Sequence, residues 1–169
     1  MRADHSYNQE SGGGYSKAMR KGSLADVQLL VRMMVEFYSD SPYTLNPRRA
    51  ADAFTALLSD ERLGSIWIIQ SNSQDVGYVV LTLCHSMTFG GLVAVVEDFF
   101  IQQAFRGRGL GKAAMAQVRS YCTTQGIRAI QVETGRDNAV ALAVYRGAGF
   151  AEKDHVHLEL GLADPTHAP

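Results

Sequence analysis

The spacing of apolar and polar residues predicts two helices near the start of the chain. From Ser23 to Tyr38, apolar side chains recur every three or four residues, which places them on one helical face. A second helix is predicted from Asn46, an N-cap residue, with Pro47 at the first helical position. Its apolar positions continue to about Asp60. Both helices are therefore expected to pack one side against a core.

Three strands are predicted next, because runs rich in β-branched and aromatic residues are separated by turn residues. The runs cover residues 66–69, 76–84 and 92–101. Their short connections favour an antiparallel meander. Trp67 lies inside the first apolar run, and we interpret it as a core residue and not as a ligand.

The pattern changes after the third strand to a helix, a strand and a short helix. Residues 109–125 show helical periodicity and residues 128–133 form a strand-like run. Asp137 or Asn138 is predicted to cap a helix that extends through Tyr145. This order of elements predicts an α+β fold, in which a mixed, mostly antiparallel sheet contains one strand–helix–strand crossover.

The ends of the chain complete the predicted domain organisation. Residues 150–151 and 156–160 resemble closing strands, which gives one domain over residues 17–162. Residues 1–16 are polar and contain three consecutive glycines, so a flexible N-terminal tail is predicted there. Residues 163–169 are predicted to form a C-terminal tail. A chain of 169 residues is sufficient for one such domain.

Composition narrows the class of protein. Hydrophobic residues make up 46% of the chain and charged residues 20%, which excludes a mostly disordered protein. The net charge of -1 provides no overall attraction to nucleic acid or to an anionic membrane, so neither is predicted as a partner. No apolar run has the roughly 18 residues of a membrane span, and the N-terminus lacks a signal-peptide core. We therefore predict a cytoplasmic protein.

Cysteine and histidine usage predicts neither disulfides nor metal. Cys84 and Cys122 lie in apolar segments and are predicted to be buried, reduced thiols. The five histidines and two cysteines show no ligand spacing, so no metal is expected.

Three alternate glycines at the start of the third predicted helix carry the clearest chemical signal. The segment at residues 107–112 reads Gly-Arg-Gly-Leu-Gly-Lys. Glycine lets a backbone approach a ligand closely, and the first turn of a helix offers free N–H groups at the positive end of its dipole. Arg106, Arg108 and Lys112 add positive charge, so a pyrophosphate is the expected ligand.

Two known phosphate-binding motifs are disfavoured for this segment, one by its residues and one by its position in the chain. A P-loop would require glycine where Arg106 stands and Ser or Thr where Ala113 stands. A dinucleotide fingerprint fits from Gly109 to Ala114, with Glu133 at a suitable distance downstream. However, fewer than sixty residues follow the end of this fingerprint at Ala114, which is too few to complete a doubly wound sheet. A nicotinamide-dependent enzyme is therefore disfavoured.

A third motif, Q/R-x-x-G-x-G/A, matches the segment from Arg106 to Gly111. Here the sequence resembles the GNAT superfamily of acetyl-CoA-dependent N-acetyltransferases, over about residues 18–160. A strand ending in Glu-Asp-Phe-Phe-Ile at residues 97–101 precedes the glycine turn, as in the diamine and thialysine acetyltransferases. Residues 138–150 resemble the family's N-x-x-A-x-x-x-Y-x-x-x-G-F ending.

The resemblance implies a GNAT-like sheet with helices on both faces and acetyl-CoA as the acetyl donor. In the family, the strand before the glycine turn separates from its neighbour, and its free backbone groups pair with the pantetheine arm. Asn138 would bind the cofactor, although helix capping explains an asparagine there equally well. The implied cofactor-binding residues are Phe99, Phe100, Ile101, Arg106, Gly107, Arg108, Gly109, Leu110, Gly111, Lys112 and Asn138.

The resemblance also implies two catalytic residues. Tyr145 matches the tyrosine that protonates the leaving thiolate of coenzyme A, while a packing role for this tyrosine is the alternative. Glu97 is the expected base on the amine side, and a solvent-facing charged residue is the alternative. Because residues alternate along a strand, Glu97 and Asp98 are predicted to point to opposite faces. Glu133 is an additional acidic candidate.

The acceptor implied by the resemblance is a primary amine of a small molecule or peptide, which attacks directly in a ternary complex. In the family it lies between the first helices and the loop after the second strand of the meander. A catalytically inactive acyl-CoA-binding module remains the alternative function. Because dimers are common in the family, a homodimer is one expected assembly. The corresponding residues here are Glu36, Tyr38, Asp40, Tyr43, His85, Ser86, Met87, Thr88 and Phe89.

Overall fold

A computed structural model describes residues 17–39, 45–154, 156–158, 160 and 162. The predicted tails at residues 1–16 and 163–169 lie outside the described residues, as do Asp40 and Tyr43.

The described residues form a mixed sheet of five strands with helices between them. The sheet order is β1-β2-β3-β4-β5, in which β4 and β5 are parallel and the other neighbours are antiparallel. This arrangement confirms the predicted α+β fold and the meander. The elements are β1 (Lys17–Lys21), α1 (Val27–Tyr38), α2 (Pro47–Ser59), β2 (Gly64–Ser71), β3 (Gln74–Ser86), β4 (Gly91–Ile101), α3 (Leu110–Thr124), β5 (Ala129–Val132) and α4 (Ala139–Gly147).

Helix starts agree closely with the predicted capping residues. A single 3-10 turn, Leu24–Asp26, follows Ser23 and leads directly into α1. The side chain of Asn46 accepts hydrogen bonds from the backbone N–H groups of Arg48 and Arg49, at 3.0 and 3.3 Å. These bonds satisfy N–H groups that have no partner within the first turn of α2.

Two apolar clusters lie on opposite faces of the sheet, which confirms helices on both faces. The first lies under α1 and α2; its buried members are Leu30, Val31, Met33, Ala50, Phe54, Ile66, Ile68, Tyr78, Val80 and Phe100. The second lies under α3 and α4; its buried members are Ile69, Val76, Val79, Leu81, Ala94, Val96, Leu110, Ala114, Met115, Val118, Cys122 and Tyr145. Trp67 packs against the second cluster, as predicted for a core residue.

Strand β1 was not predicted. Three of its five residues are basic, so it shows little of the apolar alternation that indicates a strand. It forms an edge of the sheet by pairing its backbone with β2. Charged side chains are common on edge strands because they discourage pairing with other chains.

The closing strands predicted at residues 150–151 and 156–160 are wrong for the described residues, which have no regular secondary structure there. Val156, Leu158, Leu160 and Leu162 alternate as in a strand, yet each is more than 80% exposed. Within the described part of the chain, no strand lies alongside this segment to bury them.

The prediction of two buried thiols is correct for Cys122 and wrong for Cys84. Cys122 faces the core from α3, and burial raises the pKa of its thiol to about 11. Cys84 is exposed and lies near the end of β3, where burial along the strand decreases. No helix in the described residues is both long and apolar enough to cross a membrane.

The parallel pair β4–β5 opens part of the way along β4. Its register runs from Val93 opposite Ala129 to Val96 opposite Val132. Residues 97–101 remain paired with β3 on their other side. In the described structure, the β5-facing edge of residues 97–101 therefore has no partner strand, as the family resemblance implied.

Candidate active site

A β-bulge interrupts β4 at the point where β5 ends. Val96 stands opposite Leu81 and Asp98 stands opposite Val80, so no residue of β3 faces Glu97. An extra residue of this kind shifts the alternation of all side chains beyond it. As a result, Val96 lies in the α3/α4 cluster and Phe100 in the α1/α2 cluster, although both have even numbers.

The bulge places Glu97 and Asp98 on the same face of the sheet. The hydroxyl of Thr82 donates a hydrogen bond to Glu97 Oε1 at 2.7 Å, and that of Tyr78 donates to Asp98 Oδ2 at 3.2 Å. Tyr78 and Thr82 lie four residues apart on β3 and therefore share a face. The prediction that Glu97 and Asp98 point to opposite faces is wrong, because it assumed unbroken alternation.

The two carboxylates differ in environment. Glu97 is exposed, whereas Asp98 is 9% exposed and accepts a second hydrogen bond, at 3.2 Å, from the hydroxyl of Tyr38 at the end of α1. Burial raises the pKa of Asp98; the hydroxyls of Tyr38 and Tyr78 oppose the rise, and the charge of Glu97 adds to it. Burial and the charge of Asp98 also raise the pKa of Tyr78.

Tyr145 lies on the opposite side of β4, in the α3/α4 cluster. Its ring packs against Phe99 and Phe150, with centroids 6.2 and 5.5 Å away. Burial, followed by the negative charge of Asp98, raises the pKa of the phenol to about 12. No hydrogen bond to its hydroxyl occurs within the described residues, and none of their buried polar side-chain atoms is unsatisfied. The hydroxyl therefore reaches solvent while it remains protonated at neutral pH.

The glycine turn passes through two positive φ angles and leads directly into α3. Gly107 and Gly109 have φ angles of 73° and 74°, which favour glycine, and Gly109 is the N-cap of α3. The first hydrogen bond of the helix runs from Ala113 N to Gly109 O at 3.1 Å. The N–H groups of Leu110, Gly111 and Lys112 precede this bond and have no acceptor within the helix.

Gly111 allows the turn to pack closely against β4 and α4. A Cβ at this position would lie 3.4 Å from Val144 and 3.6 Å from Phe99. A methyl group would fit, but a larger side chain would push α3 away from the open edge of β4. The φ angle of Gly111 is not positive, so its backbone conformation does not require glycine. Close packing explains the glycine at this position.

Arg106 and Arg108 are held by residues that directly precede the turn. Arg106 Nε donates to Ile101 O at 2.7 Å, and its guanidinium lies 5.8 Å from the Phe100 ring centre. Arg108 donates to Ala104 O at 2.9 Å. These contacts keep two positive charges beside the N-terminus of α3.

Asn138 is the N-cap of α4, which decides between the two predicted caps. Its Oδ1 accepts a hydrogen bond from Ala141 N at 3.0 Å. Capping therefore accounts for this asparagine in the structure, and its cofactor role stays a prediction.

Some of the residues predicted to lie near the amine acceptor are beside the bulge, and others are not. Tyr38 contacts Asp98, and Glu36 Oε2 accepts a hydrogen bond from Gln102 Nε2 at 3.0 Å. His85 lies three residues beyond Thr82 on β3, about 10 Å along the strand. Residues 85–89 therefore lie towards the hairpin end, away from the bulge.

Glu133 follows the last residue of β5 and its side chain is 70% exposed. It lies 2.8 Å from His157 Nδ1. The structure thus places it in contact with the C-terminal segment. In the described residues, no cluster of three or more metal-ligating side chains occurs.

Sequence reasoning missed the contribution of Asp98, Tyr78 and Thr82. An aspartate within an apolar strand was visible, but its side was assigned by alternation. A bulge in β4 depends on its pairing with β3 and leaves no signal in β4 alone.

Relatives and similar structures agree with this architecture. Residues 30–150 match the profile of the Acetyltransferase (GNAT) family. An aminoglycoside N(6')-acetyltransferase type 1 of Salmonella typhimurium is 25% identical over 138 residues, covering 78% of this chain and 94% of that protein. An uncharacterized N-acetyltransferase of Methanocaldococcus jannaschii is 29% identical over 94 residues; the match spans 53% of this chain and 40% of that protein.

Two solved structures illustrate the likeness. The integron cassette protein HFX_CASS3, from the mobile metagenome of Cole Harbour Salt Marsh, is 43% identical with a TM-score of 0.79, covering 89% of this chain and 93% of that one. A predicted acetyltransferase from Clostridium acetobutylicum, solved with acetyl-CoA, has a TM-score of 0.72 at 20% identity, covering 86% and 96%. The chain belongs to the GNAT acetyltransferase family.

Proposed function

We propose that the protein is an N-acetyltransferase that transfers the acetyl group of acetyl-CoA to a primary amine of a small molecule. The observation that carries the proposal is the unpaired edge of β4 beside the glycine turn, with Glu97 on one face and Tyr145 on the other. Family membership supports the reaction. The relatives named for aminoglycosides favour a small-molecule amine over a peptide.

The residues present fit acetyl-CoA in two places. The free N–H groups at residues 110–112 and the nearby Arg106 and Arg108 suit a pyrophosphate. The unpaired backbone edge at residues 99–101 suits an amide-bearing chain such as pantetheine, because it offers donors and acceptors without a strand partner. When bound, acetyl-CoA supplies the acetyl group as a thioester.

Glu97 acts on the amine in this proposal. Its exposed carboxylate attracts an ammonium group and accepts the proton that the nitrogen must lose before it attacks. The hydrogen bond from Thr82 fixes one carboxylate oxygen at 2.7 Å. The second oxygen then remains to face the amine.

Tyr145 acts on the leaving sulfur. A phenol with a pKa of about 12 stays protonated at neutral pH and is available as a donor. An ordinary thiol has a pKa of about 8.5, so complete transfer of the proton from the Tyr145 hydroxyl to the thiolate is unfavourable. The hydroxyl instead stabilises the developing thiolate by donating a hydrogen bond to it. The packing of the ring against Phe99 and Phe150 fixes the position of this donor.

The acceptor is proposed to be a cationic small molecule with an aminoglycoside-like primary amine. The relatives that are named for such substrates support this choice. In the described residues, the exposed carboxylates of Glu36 and Glu97 place negative charge near the end of α1 and the bulge. A positively charged amine would be attracted to this region.

A catalytically inactive acyl-CoA-binding module is the alternative, and Tyr145→Phe separates it from the enzyme. In an enzyme the substitution removes one hydroxyl and should lower kcat by about 100-fold or more. The Kd for acetyl-CoA, measured by isothermal titration, should change little. An unchanged kcat would refute the role of Tyr145. Binding of NADH in place of acetyl-CoA would refute the proposed cofactor.

A further inference from the structure

Asp98 is a buried carboxylate to which the proposed reaction assigns no part. It directly follows Glu97 and is tied to two different elements, α1 through Tyr38 and β3 through Tyr78. Each of its oxygens accepts one tyrosine hydroxyl, at 3.2 Å in both cases. Displacing a buried carboxylate from both of its hydrogen-bond donors is costly.

The alternation of β4 explains what these hydrogen bonds hold in place. Without the bulge, Asp98 would follow Val96 into the apolar α3/α4 cluster and would lose its hydrogen bonds to Tyr38 and Tyr78. Phe99 would then leave the face on which it contacts Tyr145 and Gly111. If β4 slipped by one residue relative to β3, every side chain after the slip would move to the other face of the sheet. The hydrogen bonds of Asp98 therefore favour the register that contains the bulge.

We infer that Asp98 is a positioning residue for Glu97: its two tyrosine hydrogen bonds hold the bulge that presents the Glu97 carboxylate beside Thr82. The inference rests on the proposed function for the role of Glu97. It assigns to Asp98 no contact with the amine or with acetyl-CoA. Apart from the effect of its charge on the pKa of Tyr145, its effect on the reaction should therefore pass through Glu97.

A double-mutant cycle tests this dependence. Asp98→Asn keeps one acceptor oxygen and loses the other, and should lower kcat/KM for the amine by about 10- to 100-fold, as expected when a reacting group is displaced by about an ångström. The KM for acetyl-CoA should stay within about twofold. In a Glu97→Gln background, the same change should alter kcat/KM by less than about threefold, because the positioned carboxylate is already absent.

Controls separate positioning from damage to the fold. Asp52→Asn makes the same chemical change at an exposed position on α2 and should leave kcat/KM unchanged. If Asp98→Asn does not fold, Tyr78→Phe replaces it in the cycle, since it removes one hydroxyl bond to Asp98. Equal losses from Asp98→Asn in the wild-type and Glu97→Gln backgrounds would overturn the inference.

An NMR measurement that does not depend on enzymatic activity distinguishes failure of this inference from failure of the proposed function. The carboxyl 13C signal of Glu97, assigned by its loss in Glu97→Gln, should move in Tyr78→Phe and stay in place in Asp52→Asn. If the wild-type protein transfers no acetyl group, the proposed function fails, and this signal alone decides the role of Asp98. A Glu97 signal that is unchanged in Tyr78→Phe would overturn it.

Discussion

Two glycines of nearly identical geometry test whether the glycine turn binds the cofactor. Gly107 precedes α3 and Gly126 follows it, with φ angles of 73° and 69°. Among the described residues, no atom lies within 4 Å of a Cβ added at either position. Alanine at each site therefore meets the same backbone strain and no clash.

The expected loss of stability is the same for both variants. A left-handed conformation costs an L-residue roughly 1–2 kcal/mol. For a domain of this size, each kcal/mol lowers Tm by about 2–4 °C. Gly107→Ala and Gly126→Ala should therefore each lower Tm by about 2–8 °C, measured by thermal unfolding without ligand.

Binding should separate the two variants. A methyl group at residue 107 occupies space that the proposed pyrophosphate needs, whereas residue 126 lies at the far end of α3. Gly107→Ala should raise the Kd for acetyl-CoA at least tenfold, or about 1.4 kcal/mol, in isothermal titration. Gly126→Ala should leave it within about twofold. An unchanged Kd in Gly107→Ala, or equal losses in both variants, would refute the proposed role of the turn.

Two further predictions concern stability and reactivity. Hydrogen bonds from Arg20 lower the pKa of Asp26 to about 2, so the folded state binds fewer protons than the unfolded state between about pH 4 and pH 2. The resulting stabilisation is present above this pH window and is lost as the pH falls through it. In urea unfolding, the stability of Asp26→Asn should therefore depend less on pH in this window than that of the wild type, and an equal dependence would contradict the assignment. Cys84 is exposed, whereas Cys122 is buried and its thiol has a pKa of about 11. One thiol per chain should therefore react with a thiol reagent in the native protein, and two should react in denaturant. Two fast-reacting thiols in the native protein would contradict the placement of Cys122.

Local signals in the sequence predict most of the helices correctly. Asn46 and Asn138 cap helices through hydrogen bonds to residues two or three positions away, so their role depends on adjacent sequence. The glycine turn is similarly local, because Gly107 and Gly109 adopt positive φ angles within one short loop. The family resemblance adds the separation of β4 from β5, which the structure confirms.

Features that depend on distant partners were not predicted. The bulge at Glu97 exists only relative to Val80 and Leu81, and the burial of Asp98 depends on tyrosines sixty and twenty residues away. Strand β1 is specified by its pairing with β2, since its own basic sequence indicates no strand. The alternation at residues 156–160 indicates a strand, but burial requires a neighbouring element as well as a pattern.

Acetyl transfer itself is the most direct test of the proposed function. The purified protein is incubated with acetyl-CoA and a panel of aminoglycosides and other primary amines, and products are analysed by mass spectrometry alongside release of free coenzyme A thiol. The account predicts an amine product carrying one added acetyl group, formed in step with thiol release and at least 100-fold more slowly by Tyr145→Phe. Tight binding of acetyl-CoA with no acetylated amine in the panel, and no thiol release above the uncatalysed rate, would contradict it.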